Sequence, residues 1–298
     1  MEPSLTGLRV LRAVAERGTF TAAASELGYT QPAVSRQVAA LEREVGRPLF
    51  ERRSDGARLT PAGLTLLRHA RIVLDELAAA EREFSGAESG PEPVRLGVYV
   101  SAGAALLPSL LTTLRRSHPG IRVISREGTT PALVRAVRAG TLDLAVISSR
   151  PPHDPPDSEL PRLTATTLGE ADLLVAVAET GPFTGQESVT LDDLADVDWI
   201  ASPSHGSEPL LGVWPGLPGR PRIAHSARDW LTKLALVKAG CGLTTVPANL
   251  ATSLPDGVRL IRVDDGPAAP RRTIAVHVPE NPPPTVTTVI RTLHGLHR

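Results

Sequence analysis

Gln31, Pro32, Ser35 and Arg36 lie within six residues of one another, in a stretch whose apolar positions Val34, Val38, Leu41 and Val45 recur at helical spacing. They therefore share the polar side of the first turns of a helix, and their side chains suit the reading of base edges. A Gln amide pairs bidentately with adenine N6/N7, and an Arg guanidinium with guanine O6/N7 or with phosphate. A Ser hydroxyl serves either base, and a Pro ring packs on a thymine methyl. Thr30 can cap this helix, with Pro32 in the first turn, where its missing N–H costs nothing. A lone exposed Ser or Arg more often just solvates a helix face, so the reading depends on what holds the helix.

Leu5, Leu8, Leu11, Val14 and Ala15 predict a first helix that Gly18 stops. Thr19 can cap a second, short one with Phe20, Ala23, Ala24 and Leu27 inside, ended by Gly28. The tight Gly28-Tyr29 turn into a third helix with polar outward residues predicts a helix-turn-helix whose last helix enters the major groove. From Pro48 to Thr60 the sequence predicts two short strands around a Ser54-Asp55-Gly56 turn, hence a wing, whose Arg52, Arg53 and Arg58 can reach phosphates or a minor groove. Phe20, Ala23, Val34 and Leu41 are assigned to core packing.

Charge balance neither supports nor excludes nucleic acid. Lys plus Arg (32) equals Asp plus Glu (32), and residues 1–60 hold nine Arg against seven acids, so any binding surface needs its positive charge on one face. The 298 residues, 41% hydrophobic, predict roughly two domains with at least one sizeable core. One cysteine, Cys241, cannot form a disulfide within the chain and fits a reducing compartment. The N-terminus lacks a charged-then-apolar leader pattern, and no apolar run is long enough for a bilayer, so a soluble, cytoplasmic protein that does not meet a membrane is expected.

Thr60-Pro61 opens a long helix running to about Ala87. Leu67, Ala70, Leu74, Leu77 and Phe84 fall on a and d positions of one heptad frame, with Glu81 the polar exception. Such a stripe suits a partner helix, and equally suits packing on its own domain. The polar segment Glu88 to Pro93 then predicts a hinge. Beyond it, strands at Val94–Val100, Ile121–Glu127 and Leu142–Ser148 alternate with helices at Ala104–Arg116 and Ala132–Ala139, a βαβαβ pattern that predicts a parallel sheet. A second set follows, with strands at Asp172–Ala178, Trp199–Ala201, Arg222–His225, Gly242–Val246 and Val258–Val263, a short helix near Leu191–Ala195 and a helix at Ala227–Ala239. Strand Arg272–Val278 and helix Pro284–Leu296 close the chain. Two such lobes predict a cleft at their strand ends. Candidate ligand donors there are Ser101, Ala102, Thr129, Thr130, Ser202, Ser204, His205 and Thr245, whose hydroxyls and nearby helix N–H groups suit a carboxylate or similar anion. Thr130 before Pro131 is equally a plain N-cap.

The sequence resembles the LysR-type transcriptional regulators. The resemblance rests on Phe20-Thr21-Ala22-Ala23-Ala24 through Leu27, Gln31 to Val38, Leu41-Glu42, Gly46 to Arg52 and Leu59 to Gly63. Looser matches continue through Val94-Arg95-Leu96-Gly97, Leu107-Pro108, His118 to Ile121, Gly140 to Ala145, Val237 to Leu243 and Val246-Pro247. It implies an N-terminal all-α winged helix-turn-helix over 1–60, a dimerising linker helix and hinge over 61–92, and a C-terminal two-lobed, periplasmic-binding-protein-like α/β domain over 93–298. Lobe I would cover about 93–166 and 268–298, lobe II about 167–267, with crossovers near Ser149–Thr167 and Val263–Pro270. Gln31, Pro32, Ser35 and Arg36 would take the base-reading positions, with Thr30 beside them. Asp55 departs from the basic residue common at the wing turn, and Arg53 or Arg58 would substitute. The implied partners are double-stranded operator DNA, a small-molecule effector and further copies of the chain, as a homodimer or homotetramer.

No Gly-x-Gly-x-x-Gly, Walker loop, His-Glu-x-x-His or Gly-x-Ser-x-Gly occurs, and the eight histidines lack ligand spacing, so no metal, cofactor or catalytic residue is expected. Cys241, between two glycines, reads as a small buried residue. The competing reading is an enzyme or solute-binding protein with an accessory helix-turn-helix; turnover of a bound ligand would separate the two.

Overall fold

The structure is a computed structural model that describes residues 2–53, 56–84, 92–149, 161–203, 211–217, 219–264, 271–278 and 282–296. Its first three helices are α1 (Leu5–Arg17), α2 (Phe20–Leu27) and α3 (Gln31–Val45). Their limits follow from local chemistry. Ser4, Thr19 and Thr30 each accept a hydrogen bond from the backbone N–H three residues on, and each helix ends at a left-handed glycine, Gly18, Gly28 or Gly46. At Gly28, φ of 68° lets the chain turn into α3 within three residues, a conformation that is strained for any side chain with a Cβ. Val10, Leu11, Val14, Ala23, Val34, Val38 and Leu41 close one core, in which a Leu→Ala change typically costs about 2–5 kcal/mol.

Strands β1 (Phe50–Arg53) and β2 (Gly56–Leu59) pair antiparallel, Phe50 with Leu59 and Arg53 with Gly56, as the wing. It is fastened at both ends. Phe50 meets the Phe20 ring edge-on at 5.8 Å, and Ala57 N–H donates to the Gly18 carbonyl at 2.7 Å. Helix α4 (Pro61–Phe84) starts on Thr60, whose Oγ1 accepts from Gly63 N–H at 3.0 Å and donates to the Pro48 carbonyl at 2.7 Å.

The chain forms two compact units, Met1–Ser148 with Asp154–Gly169 and Thr273–Arg298, and Ser149–His153 with Glu170–Arg272. Besides the winged module and α4, the first unit holds β3 (Val94–Val98), α5 (Val100–Ala105), α6 (Leu107–Ser117), β4 (Val123–Glu127), α7 (Thr130–Arg138), β5 (Leu144–Ser149) and α9 (Pro284–Gly295). Its sheet runs in the order β4-β3-β5-β13-β6, where β6 is Thr164–Ala171 and β13 is Arg271–His277; β3 pairs parallel with both β4 and β5. The single helix expected over Ala104–Arg116 is two helices. Pro108 has no N–H and sits in the first turn of α6, so the chain breaks at Leu106.

The second unit holds a sheet in the order β11-β7-β12-β8, made of β7 (Leu173–Ala178), β8 (Ser188–Val189), β11 (Thr244–Pro247) and β12 (Val258–Val263). Its β7 is antiparallel to both β11 and β12. A parallel pair, β9 (Asp198–Ala201) with β10 (Arg222–Ser226), and helix α8 (Trp230–Lys238) complete it. The helix expected from Ala227 starts three residues later, because Asp229 caps it by accepting from Thr232 N–H at 2.7 Å.

Candidate functional site

The polar face of α3 stands clear of its module. Thr30, Gln31, Pro32 and Arg36 are exposed and Ser35 is half-buried, all on the first turns, while Val34 and Val38 point into the core. Thr30 Oγ1 accepts from Ala33 N–H at 3.4 Å, so its hydroxyl starts the helix and its backbone stands where helix N–H groups attract phosphate. Among the described residues, Arg36 makes no hydrogen bond or ion pair, which leaves its guanidinium available for a base or phosphate. Tyr29, 47% exposed in the turn, is a further candidate that the hydrophobic pattern did not single out; an exposed aromatic beside a helix-turn-helix cap was the available signal. In the wing, Arg58 is half-buried on β2 opposite Glu51. Arg52 and Arg53 lie on β1 by their backbones; their side chains, and Ser54 and Asp55, fall outside the described residues.

Arg17 at the end of α1 donates Nε and NH2 to Glu26 on α2, at 2.8 and 3.1 Å, bracing α1 against α2. The hydrogen bond from Arg17 holds the Glu26 carboxyl below its ordinary 4.5, against partial burial. A carboxyl depressed in the folded state stabilises above its ordinary value and loses that contribution as pH falls through the folded one. Thermal melts of Glu26→Gln and the parent should therefore differ at neutral pH and converge as acid takes the Glu26 carboxyl through its lowered folded-state value; a gap that persists undiminished in acid would disprove the linkage.

The eight candidate effector residues divide between the units. In the first, Ser101 and Ala102 sit on the first turn of α5 and are buried, not on a loop, because the chain passes from β3 into the helix after only Tyr99. Thr129, exposed, occupies the N-cap position of α7 without a side-chain cap bond; Thr130 is the first helical residue, and its Oγ1 accepts from Ser148 N–H at 3.4 Å. Gly128 N–H donates to the Val98 carbonyl and Tyr99 N–H to that of Val146, so all four residues gather at the carboxyl ends of parallel strands β3, β4 and β5. Tyr99 Oη and Thr273 Oγ1 add a hydroxyl pair at 3.0 Å.

In the second unit, Ser202 follows β9 and Thr245 lies within β11, buried. Ser202 N–H donates to the Leu211 carbonyl and Thr245 N–H to that of Gly212, so both flank one short segment. Lys233, absent from the sequence-based candidates, is 3% exposed; its Nζ donates to Ser202 Oγ at 2.8 Å and lies 5.3 Å from the Trp230 ring centre. Nothing in α8 distinguishes a buried Lys from an exposed one by spacing alone. Ser204 and His205 fall outside the described residues.

The heptad stripe of α4 is divided. Leu67, Ala70 and Leu74 are buried in the winged module's own core, Leu77 is half-buried, and Phe84 is exposed. The first half of α4 packs on α1, and that contact takes the a and d positions; Ile72 and Val73 are the other large apolar side chains that α4 leaves exposed. Among the described residues, no helix is long and apolar enough to cross a membrane, and no three His, Cys, Asp or Glu side chains gather as metal ligands.

A winged helix-turn-helix with an uncovered third helix, followed by a long helix and α/β units, is the build of a DNA-binding regulator with a ligand-binding C-terminal half. The chain belongs to the LysR family of transcriptional regulators: residues 5–64 match the bacterial regulatory helix-turn-helix protein, lysR family, and residues 87–297 match the LysR substrate binding domain. A "Probable RuBisCO transcriptional regulator" of Cyanophora paradoxa is 32% identical over 66% of this chain, which spans 60% of that protein. A "Probable hydrogen peroxide-inducible genes activator" of Mycobacterium avium is 30% identical over 83% of this chain and 78% of its own length. Full-length CbnR solved in complex with its target DNA covers 98% of this chain and 99% of its own, with 25% identity and a TM-score of 0.57.

Proposed function

We propose that this chain binds a specific double-stranded operator through Gln31, Pro32, Ser35 and Arg36, with Thr30 and the wing arginines 52, 53 and 58 on the phosphates, and switches transcription in response to a small anionic molecule held by its C-terminal half. The single observation that carries the reading is the exposed polar face of α3, with Arg36 unengaged among the described residues. The division into 1–60, 61–92 and 93–298, the homodimeric or homotetrameric state, the cytoplasmic setting and the lack of catalysis belong to the same proposal. Within the second unit, an anionic effector is favoured by the Lys233 ammonium beside Ser202; within the first, the hydroxyls of Ser101, Thr129 and Thr130 at the strand ends suit the same chemistry. The M. avium relative is named for hydrogen peroxide; a disulfide within one chain is closed to this protein, because Cys241 is its only cysteine.

The test is binding of the purified protein to the DNA just upstream of its own gene, titrated against salt and unrelated competitor DNA. A complex that survives competitor and weakens steeply with salt is the expected result. Equal affinity for operator region and competitor, extended to fragments covering neighbouring promoters, would overturn specific recognition.

A further inference from the structure

Within the first unit, four charged side chains form a closed ring between the linker helix and the α/β sheet. On α4, Arg71 and Asp75 are one turn apart on the same face, with Arg71 Nε 3.5 Å from Asp75 Oδ2. From the sheet, Arg95 of β3 donates NH1 to Asp75 Oδ2 at 3.1 Å, and Asp143, just before β5, accepts from Arg71 NH2 at 2.7 Å. The ring is closed by the Arg95 backbone N–H, which donates to the other Asp143 oxygen at 2.8 Å. Arg12 of α1 approaches Asp75 at 3.8 Å, so the winged module, the linker helix and the sheet meet at one carboxylate. Gly140 makes room for this: a Cβ there would lie 2.6 Å from Arg71 Cδ, and its φ of 68° already excludes most side chains.

A second contact lies beside the first. Helix α1 packs on α7, with Ala139 buried among the winged module's own core residues and the Arg135 side chain lying over Gly18; at the rim, Arg126 of β4 pairs with Glu16 of α1. An isolated exposed ion pair is worth little. This ring is different, because Asp143 and Asp75 are only 17% and 20% exposed, Asp143 accepts from both the Arg71 guanidinium and the fixed Arg95 backbone N–H, and Asp75 faces the guanidinium groups of Arg12, Arg71 and Arg95.

We propose that the Arg71–Asp75–Arg95–Asp143 ring and the α1–α7 contact are a clasp that makes the winged module, the linker helix and the first α/β sheet one mechanical body, so that motion in the C-terminal half reaches α3 through the clasp and not only through the chain between α4 and β3. These residues touch no base or phosphate in the reading given above; they are positioning residues. The consequence for regulation rests on the proposed function, but the clasp itself is tested without DNA.

In full-length protein carrying Cys241→Ser, spin labels at single cysteines replacing exposed Glu44 on α3 and Ser109 on α6 report the distance between module and sheet, with unlabelled chain in excess to isolate intramolecular pairs. A narrow distribution is expected, broadened about twofold or more by Asp143→Asn or by Arg126→Glu. The exchanged pair Glu16→Arg with Arg126→Glu restores the narrow distribution, which a mere folding defect would not do. A broad distribution in the parent, or a narrow one that neither single substitution changes, would overturn the clasp and leave the DNA-binding reading intact. Failure of the operator experiment with a narrow, substitution-sensitive distribution would do the reverse.

Discussion

Arg36→Ala is expected to weaken operator binding by about 100- to 10,000-fold while leaving the melting temperature and the weak affinity for unrelated DNA nearly unchanged. Arg36 is exposed on the second turn of α3 and makes no hydrogen bond or ion pair among the described residues, so its removal empties no core and orphans no partner. One good side-chain–base pairing discriminates by about 1–3 kcal/mol, and a two-fold symmetric complex loses two of them. Salt dependence then separates the possible contacts. If Arg36 reads a guanine, the slope of log affinity against log salt stays the same and preference at one base position relaxes. If it holds a phosphate instead, the slope falls by about one per site and affinity for unrelated DNA falls with it, against the expectation above. Undiminished affinity for the operator would remove Arg36 from the interface.

The winged module was legible because its signals are local. Thr19 and Thr30 cap the helices they precede, Gly18 and Gly28 end them in the left-handed region, and Pro32 sits in the first turn of α3. Those are properties of three or four consecutive residues, and no distant contact has to be known to read them. The stripe on α4 was ambiguous for the opposite reason. A heptad frame and a 3.6-residue period coincide over three turns, and which one governs is decided by α1, which covers Leu67, Ala70 and Leu74. Strand β6 was not foreseen because Leu168 is its one buried residue, so no alternation marks it. Two-residue β8 is too short to carry a pattern. The candidate effector residues were located only as far as strand ends. Whether a hydroxyl points into a site or into the backbone, as Thr130 Oγ1 does toward Ser148 N–H, is set by tertiary packing. The same holds for Lys233, whose burial comes from the neighbours of α8 and not from its own residues.

Gly63→Ala should unfold the winged module well below the parent's melting temperature, although alanine is the better helix former. In an open helix the exchange would stabilise by about 1 kcal/mol. At position 63, in the first turn of α4, the added Cβ would drive into the Leu49 carbonyl oxygen and come within 2.9 Å of Leu59 Cδ2. A leucine tip can rotate, but the carbonyl cannot withdraw: the same oxygen accepts the Thr60 N–H at 2.9 Å, and Leu49 N–H is held by Glu42 Oε1 at 2.8 Å. Retreat of α4 instead would pull Leu67 and Ala70 out of the core they share with Leu11 and Leu41. Overpacking of this kind costs about 1–3 kcal/mol, at or above the propensity gain, and here it falls on backbone, the least compliant neighbour. Urea or thermal unfolding of the two proteins should place the variant lower, with operator affinity normal at temperatures where it is still folded. A variant as stable as the parent, or more so, would mean that α4 can shift on the wing without loss, and that the junction is softer than its hydrogen bonds imply.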